Sequence, residues 1–268
     1  MIITELDYRR IRTELIENMS GLSTLEEYYM LFLQQSISSV AQRIVADFDK
    51  AEDLKPFWQN YPPIQRGKSP TGTSIPWSEV GQTAIGSNII RALAFQNSEI
   101  TYPGLPSGSD IRFLAHDALV HLDVKITGPN DMEGEVVASP NQVSGDGISW
   151  QNGVINSPVI ITGQRASMIF QPELPPFYII NGRSIPCLTF FIKGIYGVKQ
   201  LGHQPLTRLD LLCVPNGLMT FDGPKYMLNS GLFIPGKDII SHPKKRVRVR
   251  IEPLGAIAAW RTITIWQR

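Results

Sequence analysis

Three side chains in the segment SGSDIRFLAHDALVHLDVKI, residues 107–126, have the types and spacing for metal-assisted phosphodiester hydrolysis. Asp123 and Lys125 lie two residues apart in an alternating run, so on a strand they share a face opposite the apolar side chains. Asp110 precedes Asp123 by twelve intervening residues, enough for a strand or turn that returns beside it. Two carboxylates can hold a hard ion such as Mg²⁺, which activates water, and a nearby lysine stabilises the anionic transition state.

The same residues also have plainer interpretations. An Asp–x–Lys triplet is common, and an exposed ion pair of this kind contributes only about 0–1 kcal/mol to stability. His121 shares the strand face with Asp123 and Lys125, but a single histidine there is more often a structural hydrogen-bonding group, and we do not assign it to the site. The hydrolytic interpretation therefore depends on Asp110 and on a basic segment further along the chain.

Positive charge is concentrated in the last part of the sequence. From residue 237 onward there are eight Lys or Arg residues and two acids, a net charge of +6, whereas the preceding residues carry a net charge of −5. In KKRVRVRI, residues 244–251, strand alternation separates Val247, Val249 and Ile251 from a row of cations. That row must meet water, acids or a polyanion, so a solvated charged face and a localised polyanion contact both remain open.

A helix is predicted over residues 24–49, where apolar side chains recur at helical spacing. Ser23 with Glu26, or Thr24 with Glu27, would form a capping box at its start.

The remaining chain changes character at a proline-rich stretch. Residues 55–76 contain five prolines and predict an extended connection, followed by a helix over about 76–95. From residue 100 onward, alternating and apolar runs broken by Gly, Pro and Asn predict strands. Helices followed by strands in 268 residues indicate an α/β or α+β fold.

Composition limits the location of the protein. Apolar residues make up 43% of the chain, without the long apolar run of a membrane span, so no membrane partner is expected. Cys187 and Cys213 lie in apolar runs and are predicted to be buried reduced thiols. Together these features predict a cytoplasmic protein, and the resemblance described next implies a prokaryotic source.

Longer stretches resemble one group of nucleases. Asp110…Asp123–Val124–Lys125 resembles the PD-(D/E)XK motif of type II restriction endonucleases, with Ser109 in place of the proline. Matching text runs in order from about residue 45 to 250, in LKPFWQNYPPIQRGK, IPWSEVG, DVKITGPND, SPNQVSG, FIKGIYG, VPNGL, PGKD and KRVRV.

The resemblance implies a fold and its division along the chain. We expect an α/β restriction-endonuclease-like fold, with a mixed β-sheet core flanked by helices and additional β-strands for DNA recognition. A single domain would span 1–268. Its parts would be a helical N-terminal part (1–50), a helix plus the catalytic strands (76–126) and a basic recognition strand (237–251).

The resemblance also implies roles for individual residues. Asp110 and Asp123 would be metal ligands together with the main-chain carbonyl of Val124, and Lys125 would be the catalytic lysine. Glu79 would support the ligands or provide a further one, although an acid favoured by the helix dipole is an equal alternative.

The base-reading positions of the family form a second set. They fall on Asp131, Lys237, Asp238, Arg246 and Arg248. Arginine can pair bidentately with guanine and aspartate can accept from cytosine, so these types suit G·C pairs in a major groove. Arg250 and Lys244 are assigned to phosphates, and Ile239 stands where the matched nuclease sequence has another acid.

The implied function is Mg²⁺-dependent hydrolysis of double-stranded DNA at a GC-rich, interrupted palindromic site, giving 5′-phosphate ends. Mn²⁺ would substitute for Mg²⁺, and Ca²⁺ would support binding without cleavage. A homodimer is expected, with a cognate DNA methyltransferase as a genetic partner. A non-specific or repair nuclease of the same fold, and a DNA-binding protein without catalysis, are the alternatives.

Overall fold

The structure is a computed structural model of the 268-residue chain. It describes residues 4–50, 77–96, 99–103, 109–128, 131–149, 155–164, 167–197, 205–221, 231–236 and 246–268, with the side chains of 77–80 and 96 excluded.

Three helices make up the described N-terminal part of the chain. They are α1 (Glu5–Glu17), α2 (Met19–Asp49) and α3 (Trp77–Gln96). The predicted start of the long helix near residue 24 is wrong, because the Asn18 side chain accepts from the Gly21 amide and begins α2 five residues earlier. Glu26, expected in a capping box, is instead fully buried within α2.

A mixed sheet forms the centre of the molecule. Its strands are β1 (Ile111–Leu114), β2 (Leu119–Thr127), β6 (Phe177–Ile180), β7 (Arg183–Tyr196), β8 (Leu206–Val214) and β11 (Thr262–Gln267). The order is β1-β2-β7-β8-β11, with β6 paired to the start of β7. The β2–β7 pair is parallel and the others are antiparallel. This mixed sheet beside helices confirms the predicted α/β class.

The hairpin between β6 and β7 follows directly from its sequence. Asn181 and Gly182 form the two-residue turn, with φ of 52° and 79°. An Asn-Gly pair suits such a turn because both positions need positive φ.

A smaller sheet packs beside the large one. It consists of β3 (Glu135–Ala138), β10 (Val247–Arg250) and β9 (Phe233–Pro235), in the order β3-β10-β9 with antiparallel pairing. A separate hairpin joins β4 (Val159–Thr162) and β5 (Ser167–Phe170). The shorter helical elements are α4 (Gly217–Phe221), α5 (Ile251–Ile257) and the 3₁₀ turns Pro140–Gln142 and Ala259–Arg261.

Both faces of the large sheet are covered. On one face, the core of α2 and α3 packs against side chains that include Val120, Leu122 and Val124 of β2. On the other face, Phe191 and side chains of β8 pack against the small sheet. Alternation places Asp123 and Lys125 on this second face, so the predicted catalytic pair lies between the two sheets.

The two cysteines behave as predicted. Cys187 and Cys213 are both buried and free. Among the described residues, no helix is both long and apolar enough to cross a membrane.

Candidate functional site

Asp110 reaches the strand that carries the other two predicted catalytic residues. It lies immediately before β1, and β1 returns antiparallel to β2 with Ile111 opposite Leu122. Oδ2 of Asp110 accepts a hydrogen bond from the main-chain N–H of Val124, with an N···O distance of 2.8 Å. The structure therefore brings Asp110 to the position between Asp123 and Lys125 on the neighbouring strand.

Asp123 and Lys125 are joined to each other and to a third side chain. The Lys125 ammonium forms an ion pair with Oδ2 of Asp123. Oδ1 of Asp123 accepts from Nε2 of Gln142 at 2.6 Å, and Oε1 of Gln142 accepts from Lys125 Nζ at 3.1 Å. Gln142 is itself fixed by the Ser139 amide, which donates to the same Oε1 at 3.0 Å. One amide thus fixes the relative positions of the acid and the amine.

The electrostatics of Asp123 follow from its position between the sheets. Asp123 is 3% exposed. Burial raises the pKa of its carboxyl to about 6, the Lys125 ammonium opposes this rise, and the nearby Asp110 charge adds to it. Desolvation therefore disfavours the ionised carboxylate even with Lys125 beside it, and a bound divalent cation would stabilise that ionised form.

His121 has the structural role that the sequence favoured. Its Nδ1 lies 3.0 Å from Oγ of Ser109, the residue that replaces the proline of the motif. Burial, together with a smaller effect of the Arg112 charge, lowers the pKa of His121 to about 4, so the ring is neutral at pH 7.

Two other predicted residues are placed only in part. Glu79 lies in the first turn of α3, and its side chain is outside the described residues. For Val124, the structure records the amide contact with Asp110. The roles predicted for the Glu79 carboxylate and the Val124 carbonyl stay predictions.

The carboxylates of the site could hold a divalent ion only if water, substrate phosphate or main-chain carbonyls supply the remaining ligands. Across the described ranges, no group of three or more His, Cys, Asp or Glu side chains is arranged to hold a metal ion by itself. Asp110 and Asp123 supply two carboxylates, which matches the way proteins bind Mg²⁺, with substrate phosphate and water completing the shell.

The basic strand has the alternation that the sequence predicts. Val247 and Val249 are fully buried against the large sheet, and Arg248 and Arg250 are partly exposed on the opposite side. Ile251 departs from the prediction, because it begins α5 and does not continue the strand.

Arg248 has an acidic partner within the small sheet. Its Nη1 donates to Oε2 of Glu135 at 2.7 Å, and the two side chains are only 14% and 15% exposed. Arg248 and Arg250 border an open depression of about 860 Å³, whose lining also includes Met132, Glu135 and Ile234. The depression is thus walled by side chains that include two of the predicted DNA-binding arginines.

Asp131 occupies a turn next to this depression. Its Oδ2 accepts from the Gly128 amide at 3.0 Å, and its own amide donates to the Gly128 carbonyl at 3.1 Å. Arg246 lies just before β10, where its carbonyl accepts from the Gly236 amide at 3.0 Å. Lys237, Asp238 and Lys244 lie outside the described residues.

The sequence did not predict two residues that contact the candidate site residues, namely Gln142, which binds Asp123 and Lys125, and Glu135, which binds Arg248. Gln142 lies within SPNQVSG, a stretch already matched to the nuclease group, so a polar residue there was an available signal. Glu135 is 113 residues from Arg248 and carries no motif. Strand pairing alone brings them together.

Solved structures define the class of protein. The structure of tetrameric restriction endonuclease SfiI bound to cognate DNA matches with a TM-score of 0.63 at 11% identity, covering 91% of this chain and 84% of that one. At this identity the match concerns the fold alone. The structure of restriction endonuclease BglI bound to its DNA recognition sequence matches with a TM-score of 0.83 at 38% identity, covering 96% and 94%. The fold is therefore that of restriction endonucleases.

Sequence comparison gives the particular family. The family model for restriction endonuclease BglI matches residues 4–265. The type II restriction enzyme BglI of Bacillus subtilis is 38% identical, with 97% of this chain and 95% of that protein covered. The chain belongs to the BglI restriction endonuclease family, which confirms the predicted resemblance.

Proposed function

We propose that this chain is a type II site-specific deoxyribonuclease that hydrolyses double-stranded DNA at a GC-rich, interrupted palindromic site and leaves 5′-phosphate ends. Family membership supports the enzyme class. The observation that carries the catalytic assignment is the contact of the Asp110 carboxylate with the strand segment between Asp123 and Lys125.

Mg²⁺ is the proposed cofactor, with Mn²⁺ as a substitute and Ca²⁺ supporting DNA binding without cleavage. The Asp110 and Asp123 carboxylates and the Val124 carbonyl would hold the ion, which when bound supplies charge stabilisation at phosphorus and a more acidic water. Lys125 now contacts the Asp123 oxygen Oδ2. Coordination through that oxygen therefore requires the ammonium to move away from it.

The chain's own groups have distinct tasks in the hydrolysis. Lys125, tethered through Gln142, would place its ammonium beside the attacking water and the developing negative charge. A water oxygen forms the new bond to phosphorus, the bond to the 3′ oxygen breaks, and that oxygen takes a proton. The products are a 5′-phosphate and a 3′-hydroxyl.

The partly exposed side of β10 is the proposed recognition surface. Arg246 and Arg248 would read guanine, with Asp131, Lys237 and Asp238 as further base contacts, and Arg250 would contact phosphate. In the structure Arg248 is held by Glu135, so its guanidinium is oriented before DNA arrives.

Cutting both strands with one site per chain favours a two-fold homodimer on a palindromic site. A cognate methyltransferase would protect the host genome. A cytoplasmic location stays a prediction.

The test uses Asp123→Ala and Lys125→Ala with a plasmid of known sequence and Mg²⁺. Wild type should give discrete fragments whose ends map to one sequence, and both variants should lose cleavage while Ca²⁺-supported DNA binding survives. Asp7→Ala and Lys50→Ala, in or next to the N-terminal helices, are the matched controls and should cleave normally.

The same digestion separates the alternatives. Ragged fragments from wild type would indicate a non-specific nuclease, and binding without any nicking would indicate an inactive DNA-binding protein. Cleavage at the wild-type rate by either site variant would refute the catalytic assignment.

A further inference from the structure

Lys193 is a fully buried lysine on the face of the large sheet that carries Asp123 and Lys125. It lies in β7 directly opposite Lys125 of β2. Its ammonium donates to three main-chain carbonyls: Met132 O at 3.1 Å, Glu135 O at 2.8 Å, and Glu133 O. A side chain of the large sheet thus binds the backbone that enters the small sheet.

The turn formed by residues 132–135 depends on this lysine for its hydrogen bonds. The fourth carbonyl of the turn, that of Gly134, accepts from the Ile251 amide at 2.9 Å. Every carbonyl from residue 132 to 135 therefore has a donor, and three of the four use the same ammonium. Because a hydrogen bond from a charged donor is stronger than one from a neutral donor, loss of Lys193 would remove the main support of this turn.

The ammonium is charged in spite of its burial. Burial lowers the pKa of Lys193 to about 8, while the carboxylates of Asp210 and Glu133 oppose the fall. At neutral pH most molecules carry the charge, and the three carbonyl dipoles take the place of water around it.

The supported turn carries two parts of the proposed recognition surface. Asp131 immediately precedes it, and Glu135 ends it and binds the Arg248 guanidinium. The position of Glu135 is thus set twice, at its carbonyl by Lys193 and at its carboxylate by Arg248.

We propose that Lys193 is a positioning residue for DNA specificity, which sets the 132–135 turn against the large sheet and thereby fixes Asp131 and the Glu135–Arg248 pair relative to the catalytic strand. The inference rests on the proposed function, because it assigns specificity to that same recognition surface. Lys193 acts through this turn and not by direct contact with DNA or the reacting atoms.

The test compares Lys193→Met, Lys193→Gln and wild type. Methionine is an unbranched side chain only one atom shorter than lysine and removes every donor, whereas glutamine keeps one amide donor group. Ile192→Val is the matched control, since Ile192 is the adjacent buried residue of β7 on the helix-facing side of the sheet.

The first measurement is amide hydrogen exchange of residues 131–136 in protein free of DNA and metal. Protection should fall in the order wild type, Lys193→Gln, Lys193→Met, and Ile192→Val should match wild type. This measurement needs no nuclease activity, so it remains decisive for the turn even if wild type proves unable to cleave DNA. If Lys193→Met does not fold, Lys193→Gln still gives the direction.

The second measurement is kcat/KM on the cognate duplex, mapped by plasmid digestion, and on duplexes with one G·C pair changed. For Lys193→Met, the ratio of kcat/KM on the cognate duplex to kcat/KM on a changed duplex should fall by about tenfold, which corresponds to the loss of one well-placed base contact. A purely structural role would lower both values together and leave the ratio unchanged. Unchanged exchange protection, or an unchanged ratio despite lost protection, would overturn the proposal, whereas failure of wild type to cleave would overturn only the proposed function.

Discussion

Replacing Gln142 with methionine tests whether the acid and the amine of the site need to be held together. Methionine fills a similar volume but removes the donor to Asp123 Oδ1 at 2.6 Å and the acceptor for Lys125 Nζ at 3.1 Å. A hydrogen bond to a charged group contributes about 1.5–3 kcal/mol, and about 1.4 kcal/mol is a factor of ten. Loss of the bond to Asp123 alone therefore predicts a rate lower by about 10- to 100-fold, the range found for groups that orient metal ligands.

The assay for Gln142→Met is single-turnover cleavage with enzyme in excess of a duplex containing the mapped site, over a series of Mg²⁺ concentrations. The rate at saturating Mg²⁺ should fall, and the Mg²⁺ concentration at half-maximal rate should rise. The Kd for DNA in Ca²⁺ should stay within about threefold of wild type, a change that corresponds to less free energy than one hydrogen bond to a charged group. Gln171→Met is the matched control, because Gln171 donates to a carbonyl, that of Asn156, far along the chain from the catalytic strand. A rate within threefold of wild type, or a rate loss explained by weaker DNA binding, would refute the reasoning.

Three further predictions concern pH and stability. The pKa of Asp123 is about 6 in the folded protein and 3.8 ordinarily, so between pH 4 and 6 the folded protein binds a proton that the unfolded chain does not. In EDTA, the free energy of unfolding of wild type relative to Asp123→Asn should therefore fall by up to about 3 kcal/mol as pH rises through this window. A difference in urea unfolding that does not change with pH would contradict this. Glu26→Ala should cost about 3–5 kcal/mol in the same assay, because it leaves Arg261 buried without the carboxylate that now lies 2.6 Å from Nη2, and the Glu26→Leu/Arg261→Met double variant should recover most of the loss. Gly86→Ala, inside α3 where an added Cβ meets no atom within 4 Å, should raise stability by about 0.5–1 kcal/mol, and a loss would show that the helix needs this glycine.

The residues that sequence could place are those governed by local rules. Alternation along β2 predicts Val120, Leu122, Val124 and Ile126 in the core; the first three are fully buried there, and Ile126 packs against the core only partly buried. The same rule left Asp123 on the opposite face without saying whether that face meets solvent. It is in fact buried, and Gln142, which contacts its carboxylate, comes from a 3₁₀ turn 19 residues further along the chain. No local pattern around β2 could reveal that long-range partner.

The predicted start of α2 was wrong for a related reason. Residues 24–49 have clear apolar spacing, and both capping pairs satisfy the rule for a helix start. The N-cap of α2 is Asn18. Glu26 is instead buried in the core, where its carboxylate accepts from the Asn216 amide at 2.7 Å and from Arg261. A capping signal competes with tertiary contacts, and here the tertiary contacts prevail.

A row of charged side chains crosses the face of the large sheet that carries the proposed catalytic pair. Lys125, Lys193 and Asp210 occupy directly opposed positions on three neighbouring strands. Adjacent strands are only about 4.8 Å apart, so two ammonium groups side by side, one of them fully buried, would repel each other unless each had its own acceptors. Lys125 turns to Asp123 and Gln142, and Lys193 turns to the carbonyls of the 132–135 turn. Under the roles proposed above, the two lysines therefore have separate tasks, and replacing Lys125 should reduce cleavage whereas replacing Lys193 should first reduce sequence discrimination.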